Sequence, residues 1–351
     1  MNKLKVAIVG TGAIASERHI PILSKTPQVH IVAVCDLNEK TARKVADRFR
    51  IPHVYTDVGE MLSKEPLDVV DLCTPPHTHA DLSLQAIEHG CHVIMEKPMA
   101  LRSEDCKRII EAARDRGVKI CVIHQMLFYP PVQKALRLIK DGALGDFLGM
   151  RIFIANPVWL RTAEKNDWVH KLPGGIIGET GPHLVYLSRA FVGDILDVSV
   201  RAEKHTSFPW CQFDDYRIEL VGEKGISTIM TLYASKQFAA EVDIYGTDGF
   251  LKLDLQAMTL MHYRRKSRQS KVVLTSSLAQ AFQLTKSVLS NLVQASKGRL
   301  RPGFAHETIM KGFLQAIVSD QPVPVTGEDG LATVETMEKI VNTLSELKRS
   351  Q

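Results

Sequence analysis

Residues 5–36 limit the possible folds more than any other stretch of this chain. The apolar run Lys5-Val6-Ala7-Ile8-Val9 predicts a strand. Gly10-Thr11-Gly12-Ala13-Ile14-Ala15 predicts a tight turn into a helix, and His30-Ile31-Val32-Ala33-Val34-Cys35 a second strand ending in Asp36. Gly10 permits the sharp turn, Gly12 lets the backbone approach a pyrophosphate, and Ala15 fills the third small position, where helix packs on strand. The helix start offers unpaired N–H groups and a positive dipole end to the phosphates. Asp36 follows about 20 residues on, where a carboxylate holds an adenosine ribose through its hydroxyls. Glycines alone would suit any tight turn; the strand before, the helix after and the acid at the next strand end make the pattern a dinucleotide site. The acid repels a 2′-phosphate and so favours NAD, while Lys40, Arg43 and Lys44 nearby keep NADP as a second choice.

The same alternation continues through the first 125 residues. Asn38 caps a helix whose apolar positions Ala42, Val45, Ala46 and Phe49 recur at helical spacing. Asp68 to Cys73, His92 to Met95 and Val118 to Ile123 read as strands, with helices between them that Gly90 and Gly117 end. Strands alternating with helices imply a doubly wound α/β Rossmann domain over residues 1–125, with a parallel sheet covered on both faces. Ligands of such sheets bind beyond the carboxyl ends of the strands. The unusual polar clusters fall there, so the candidate cofactor contacts are Gly10, Gly12, Ala13, Ile14, Asp36, Thr74, Pro75, His79, Glu96, Lys97 and Gln125. Thr74-Pro75-Pro76 makes a rigid turn poor in N–H groups that can lie flat against a cofactor. Glu96 and Lys97 are adjacent in an extended segment, so they point opposite ways and serve different partners. A lysine beside a cofactor supplies three donors and a tunable pKa. His77 and His79 lack zinc spacing and no acid or cysteine completes a set, so no metal is expected.

Together these features resemble the Gfo/Idh/MocA oxidoreductases, the family of glucose–fructose oxidoreductase and inositol dehydrogenase. The likeness is carried by Gly10 to Ala15 with His19, by Thr74 to Ala80, by Glu96-Lys97-Pro98, and by Gly174-Gly175-Ile176-Ile177-Gly178-Glu179-Thr180-Gly181-Pro182-His183. The ending Gly327-Glu328-Asp329-Gly330-Leu331 is similar too. The resemblance implies that Lys97 and His183 are catalytic, with Glu179 where the family usually has aspartate and Glu96 near the nicotinamide ribose. It implies NAD(P)-dependent hydride transfer at a secondary alcohol or ketone of a sugar, cyclitol or sugar derivative. Leu127 stands where the family often has arginine, which points to a different substrate pocket and keeps non-sugar substrates open. The alternative is a non-catalytic NAD(P)-binding sensor of the same fold, against which stand the retained lysine and histidine.

From Phe147 the pattern changes to strand-like runs, Phe147 to Ala155, Val198 to Ala202, Tyr216 to Val221, Ile226 to Tyr233, Ala239 to Tyr245 and Phe250 to Leu255, with Thr247-Asp248-Gly249 as a hairpin turn. They predict an open, mostly antiparallel sheet in an α+β domain over residues 126–351. Pro182 to Phe191 reads as a helix with His183 at its start, facing the cleft between domains. Trp159 and Trp168, before the glycines, suit either stacking on a sugar ring or plain packing. Leu278 to Lys297, Glu307 to Ser319 and Leu331 to Leu347 read as amphipathic helices, the last packing back on the first domain. The resemblance implies that the open sheet face joins copies into a homodimer or homotetramer.

Of 351 residues, 45% are hydrophobic and 24% charged, ordinary for a globular chain large enough for two domains. The net charge of +5 is spread out, so no nucleic-acid partner is expected; the cluster Arg264-Arg265-Lys266 with Arg268 and Lys271 reads as a solvated strand or hairpin. No run suits a membrane span. Six cysteines sit singly without C-x-x-C pairs, which suits a reducing cytoplasm. The expected partner is a small-molecule substrate.

Overall fold

The computed structural model describes residues 3–155, 164, 165, 168–264, 270–301 and 303–349. Trp159 and the basic residues 265–268 therefore lie outside the described residues. The chain divides into two compact units, one of residues 1–125 with 302–335, the other of residues 126–301 with 336–351. The span 126–351 is thus interrupted: residues 302–335 pack with the first unit.

In the first unit, β1 (Leu4–Val9) leads into a π-helical turn, Ala15–His19, and helix α1 (Ile20–Leu23). Then come β2 (Val29–Cys35), α2 (Glu39–Phe49), β3 (His53–Tyr55), α3 (Val58–Lys64), β4 (Val69–Leu72), α4 (His79–Glu88), β5 (His92–Met95), α5 (Ser103–Arg116) and β6 (Ile120–Val122). The strands form one parallel sheet in the order β3-β2-β1-β4-β5-β6. Val6 to Val9, Val69 to Leu72 and Val93 to Met95 are buried without alternation, as a parallel sheet with helices on both faces requires. The order reverses between β1 and β4, the switch point at which such sheets bind ligands.

In the second unit, α6 (Pro130–Lys140) precedes β7 (Phe147–Ala155), and helix α7 (Ile176–Val192) precedes β8 (Ile195–Glu203), β9 (Asp215–Gly222), β10 (Gly225–Leu232), β11 (Ala239–Gly246), β12 (Gly249–Asp254) and β13 (Thr259–Tyr263). The seven strands run β13-β12-β11-β7-β10-β9-β8, antiparallel except for β7 with β10. The expected strands stop at Leu255; β13 adds the edge. Alternation is clear in β9, where Tyr216, Ile218 and Leu220 are buried while Arg217 and Glu219 are exposed. One sheet face therefore packs on a core and the other turns outward. Helix α8 (Ser270–Ser296) packs along β13. Helix α9 (Phe304–Ser319) belongs to the first unit, and α10 (Gly327–Arg349) contributes residues up to Glu335 to it.

Helix α7 begins six residues before the expected Pro182, at Ile176, and carries Pro182 inside it. Gly175, at φ +66°, makes the turn that starts it. His183 therefore sits two turns into the helix, with Leu184, Val185, Leu187, Phe191 and Val192 buried around it.

Candidate active site

The glycine turn follows from local constraints. Gly10 has φ +88°, and a Cβ there would lie 2.8 Å from the carbonyl carbon and oxygen of Cys73. A side chain at Gly12 would instead meet nothing within 4 Å, so the turn is open where a phosphate would approach. Gly12 and Ala13 are exposed and Ile14 half-exposed at the helix start, where backbone N–H groups have no intrahelical acceptor.

Asp36 is pre-set at the end of β2. Its Oδ2 accepts from the Thr11 N–H (2.7 Å) and the Thr11 hydroxyl (2.8 Å), and its Oδ1 accepts from the Asn38 N–H (2.9 Å). The carboxylate thus links the glycine turn to the start of α2 and keeps lone pairs for ribose hydroxyls. Leu37 beside it is 94% exposed. A leucine so exposed beside this acid offers an apolar surface of the kind on which an adenine face packs, a feature that residue type alone does not reveal.

Beyond β4, the Thr78 hydroxyl lies 2.8 Å from both the Thr74 hydroxyl and the Pro75 carbonyl, and Pro75 is exposed. The structure gives His79 a task other than cofactor contact. It is fully buried, with Nδ1 2.9 Å from the Pro98 carbonyl and Nε2 2.8 Å from the Thr74 carbonyl. Burial lowers its pKa while those carbonyls pull the other way. His79 clamps the turn after β4 to the cis Lys97–Pro98 peptide after β5.

Glu96 is also drawn inward, to 8% exposure. Its Oε1 lies 3.1 Å from His19 Nε2 and 3.5 Å from His306 Nε2, and its Oε2 accepts the Lys97 N–H at 3.2 Å. His19 Nδ1 in turn lies 2.9 and 3.0 Å from the two oxygens of Asp71. Acid and imidazole thus alternate through Asp71, His19, Glu96 and His306, all buried. Burial alone would lower the His19 pKa, but the Asp71 carboxylate outweighs it and holds the ring well above its ordinary value. Burial alone would raise Glu96, but hydrogen bonds from His19 and His306 hold it well below the usual carboxylate range. Some of these atoms have the mutual spacing of metal ligands, yet carboxylate and imidazole already face one another across them. His306, on α9, is a member that no local motif announces.

Lys97, opposite Glu96 along the chain, is half-exposed. Gln125 is half-buried, and its Oε1 is buried without a hydrogen-bond partner among the described residues. The open space at Gly12, the pre-set Asp36 and the orphan acceptor of Gln125 together fit a dinucleotide bearing a carboxamide.

In the second unit, His183 is 8% exposed, with Nδ1 2.8 Å from the Tyr186 hydroxyl oxygen and the two rings edge to face. The same oxygen accepts the Met126 N–H at 3.1 Å. Tyr186 is the partner that motif reading passes over, although its i+3 spacing from His183 puts both on one helix face. Glu179, half-buried four residues before His183, shares that side of α7. Thr180 bonds Tyr233, whose pKa burial pushes up to about 12.

Residues 4–124 match the oxidoreductase family with an NAD-binding Rossmann fold, and residues 132–252 match the GFO/IDH/MocA C-terminal domain. The D-apiose dehydrogenase of Paraburkholderia graminis is 26% identical over 76% of this chain and 72% of its own. The D-glucoside 3-dehydrogenase of Escherichia coli is 32% identical over 41% of each. The structure of the WlbA dehydrogenase from Bordetella pertussis, in complex with NADH and UDP-GlcNAcA, superposes with a TM-score of 0.81 at 19% identity, covering 98% of this chain and 96% of that one. This chain, with an NAD-binding Rossmann unit and a mostly antiparallel second sheet, belongs to the Gfo/Idh/MocA family of oxidoreductases.

Proposed function

We propose that the protein oxidises a secondary hydroxyl of a sugar or sugar derivative with NAD, or reduces the matching ketone. His183 is the general base: its Nε2 takes the hydroxyl proton as the C–H hydride leaves. In this role Nδ1 carries the ring proton and donates it to the Tyr186 oxygen, and Nε2 is the atom that takes the substrate proton. Lys97 donates to the substrate oxygen and stabilises its developing negative charge. Glu179 assists from its place one turn before His183. NAD, when bound, supplies the hydride acceptor. Asp36 with Gly10, Gly12, Ala13 and Ile14 would hold its adenosine and pyrophosphate, while Thr74, Pro75 and Gln125 would line the rest, Glu96 acting from behind by fixing the Lys97 backbone.

The observation that carries the reading is the division of labour at Glu96–Lys97. The acid is fixed inward by two imidazoles, which anchors the backbone from which the half-exposed lysine projects at the carboxyl edge of an NAD-binding sheet. Named relatives act on apiose and glucosides, which supports a sugar substrate. A nicotinamide absorbance screen of sugars, cyclitols, nucleotide sugars and their keto forms, with NAD and NADP, tests it. Turnover with NAD on a sugar-type substrate is expected, abolished in Lys97→Ala while NAD binding survives. A Lys97→Ala enzyme that turns over like wild type would refute the assignment.

We also propose that the outward sheet face joins two copies; Phe153, Ile226, Met230 and Leu232 give it partly exposed apolar side chains. All six cysteines are buried and outside any disulfide, consistent with a reducing, cytoplasmic setting. Among the described residues, no helix is long and apolar enough to cross a membrane.

A further inference from the structure

Helix α8 is amphipathic the wrong way round. Its half-buried positions recur along one side, and Ser276, Gln280, Gln283, Ser287, Asn291 and Gln294 are all polar. Three of them hydrogen-bond the backbone of β13 or the turn before it. Gln283 accepts the His262 N–H (2.8 Å) and donates to the His262 carbonyl (2.9 Å), Ser287 donates to Leu260 (3.4 Å), and Asn291 donates to Ala257 (2.9 Å). The opposite side displays Leu278, Phe282, Val288, Leu289, Leu292 and Val293, between 48% and 69% exposed. A surface helix ordinarily turns its apolar stripe to the core. Six large side chains half in water expose on the order of 600 Å² of apolar surface, more than a monomer usually leaves uncovered without a use. A standard interface buries about 800 Å² per partner, so the stripe supplies most of one.

Four of the six stripe residues are placed symmetrically about one midpoint. Leu278 and Val293 lie equally far from the Thr285–Lys286 bond, and so do Phe282 and Leu289. At the midpoint Thr285 is small, and its hydroxyl donates to the Ala281 carbonyl within its own helix (2.9 Å). We propose that α8 pairs antiparallel with α8 of a second copy of this chain about a two-fold axis at Thr285–Lys286, Leu278 packing on Val293 of the other copy and Phe282 on Leu289. A self-complementary patch is what an isologous contact requires. A membrane surface would instead call for cations along the polar face. Here that face is committed to β13, and Lys286 is the one charged residue between Thr275 and Ser296. The helix lies beyond residues 132–252, the part shared with the family's C-terminal domain, and along the sheet edge, apart from the sheet face proposed above as an interface.

Sedimentation equilibrium of the full chain tests the pairing. The Phe282→Glu/Leu289→Glu variant should have half the mass of wild type, with unchanged circular dichroism and NAD binding. Under a mild oxidant, Thr285→Cys should cross-link two copies, whereas Ser290→Cys, exposed on the flank of the same helix, should not; the native cysteines are buried. An unchanged mass in the glutamate variant, or equal cross-linking at both positions, would overturn the proposal. So would a monomeric wild type that binds phosphatidylglycerol vesicles.

Discussion

Glu96 in the first unit and His183 in the second are equally buried, each 8% exposed, yet they are held by opposite means. Glu96 sits among ionisable groups, with His19 and His306 against it and Asp71 behind His19. His183 rests on a phenol that also caps a backbone N–H. Charge compensation fixes a backbone firmly but ties the fold to pH. A hydroxyl partner instead orients the imidazole through a neutral hydrogen bond, as a proton acceptor at a reacting oxygen requires.

The sharpest way to break this comparison is to remove one charge. Glu96→Ala leaves His19 beside Asp71 with its other face unpaired in a buried site, a change that costs roughly 3–5 kcal/mol in comparable pairs. We expect the largest loss of thermal stability here, read by calorimetry, together with weakened NAD binding. A variant as stable as wild type would show that the network is idle.

The pH dependence of stability should separate the two regions next. His19 has a raised pKa, so its contribution is complete below its ordinary value of 6.5 and fades as pH rises through the raised value. Glu96 has a lowered pKa, so its contribution is complete above its ordinary value of 4.5 and fades as pH falls through the lowered one. The pair therefore supports the fold most between about pH 4.5 and 6.5, and the melting temperature should decline on the alkaline side. His19→Gln should flatten that alkaline decline, whereas Tyr186→Phe should leave it in place. A decline unaltered in His19→Gln would remove the network as its source.

Smaller still, Tyr186→Phe takes away the acceptor for the His183 Nδ1 proton and for the Met126 N–H. Orphaning such buried groups costs about 1–3 kcal/mol. We expect kcat to fall about tenfold to a hundredfold with KM nearly unchanged, and the basic limb of the pH–rate profile to move. A loss confined to KM would assign Tyr186 to substrate binding.

Much of the first unit was legible because its signals are local. Gly10, Gly12 and Asp36 lie within one strand–helix–strand unit, and continuous apolar runs mark the parallel strands. His306 was not legible: it meets Glu96 only because α9 returns to the first unit after the whole second sheet has been made. His79 looked like a ligand contact because position at a strand end cannot show that two carbonyls occupy its ring. The start of α7 was missed because Pro182 suits the first turn of a helix, whereas Gly175 starts the helix and the proline is tolerated inside a buried one. In α8 the periodicity gave the element but not its orientation. Apolar spacing says which residues share a face and leaves open whether that face turns inward.

The most direct test of the central claim, that Lys97 and His183 serve one substrate oxygen, is a double-mutant cycle on single-turnover hydride transfer, followed by NADH absorbance with the substrate found in the screen. Lys97→Ala and His183→Asn should each slow transfer by about 10²- to 10⁴-fold, and the double variant should be little slower than the worse single one, as for groups that act as a unit. Losses that multiply in full, or a single variant that keeps the wild-type rate, would contradict it.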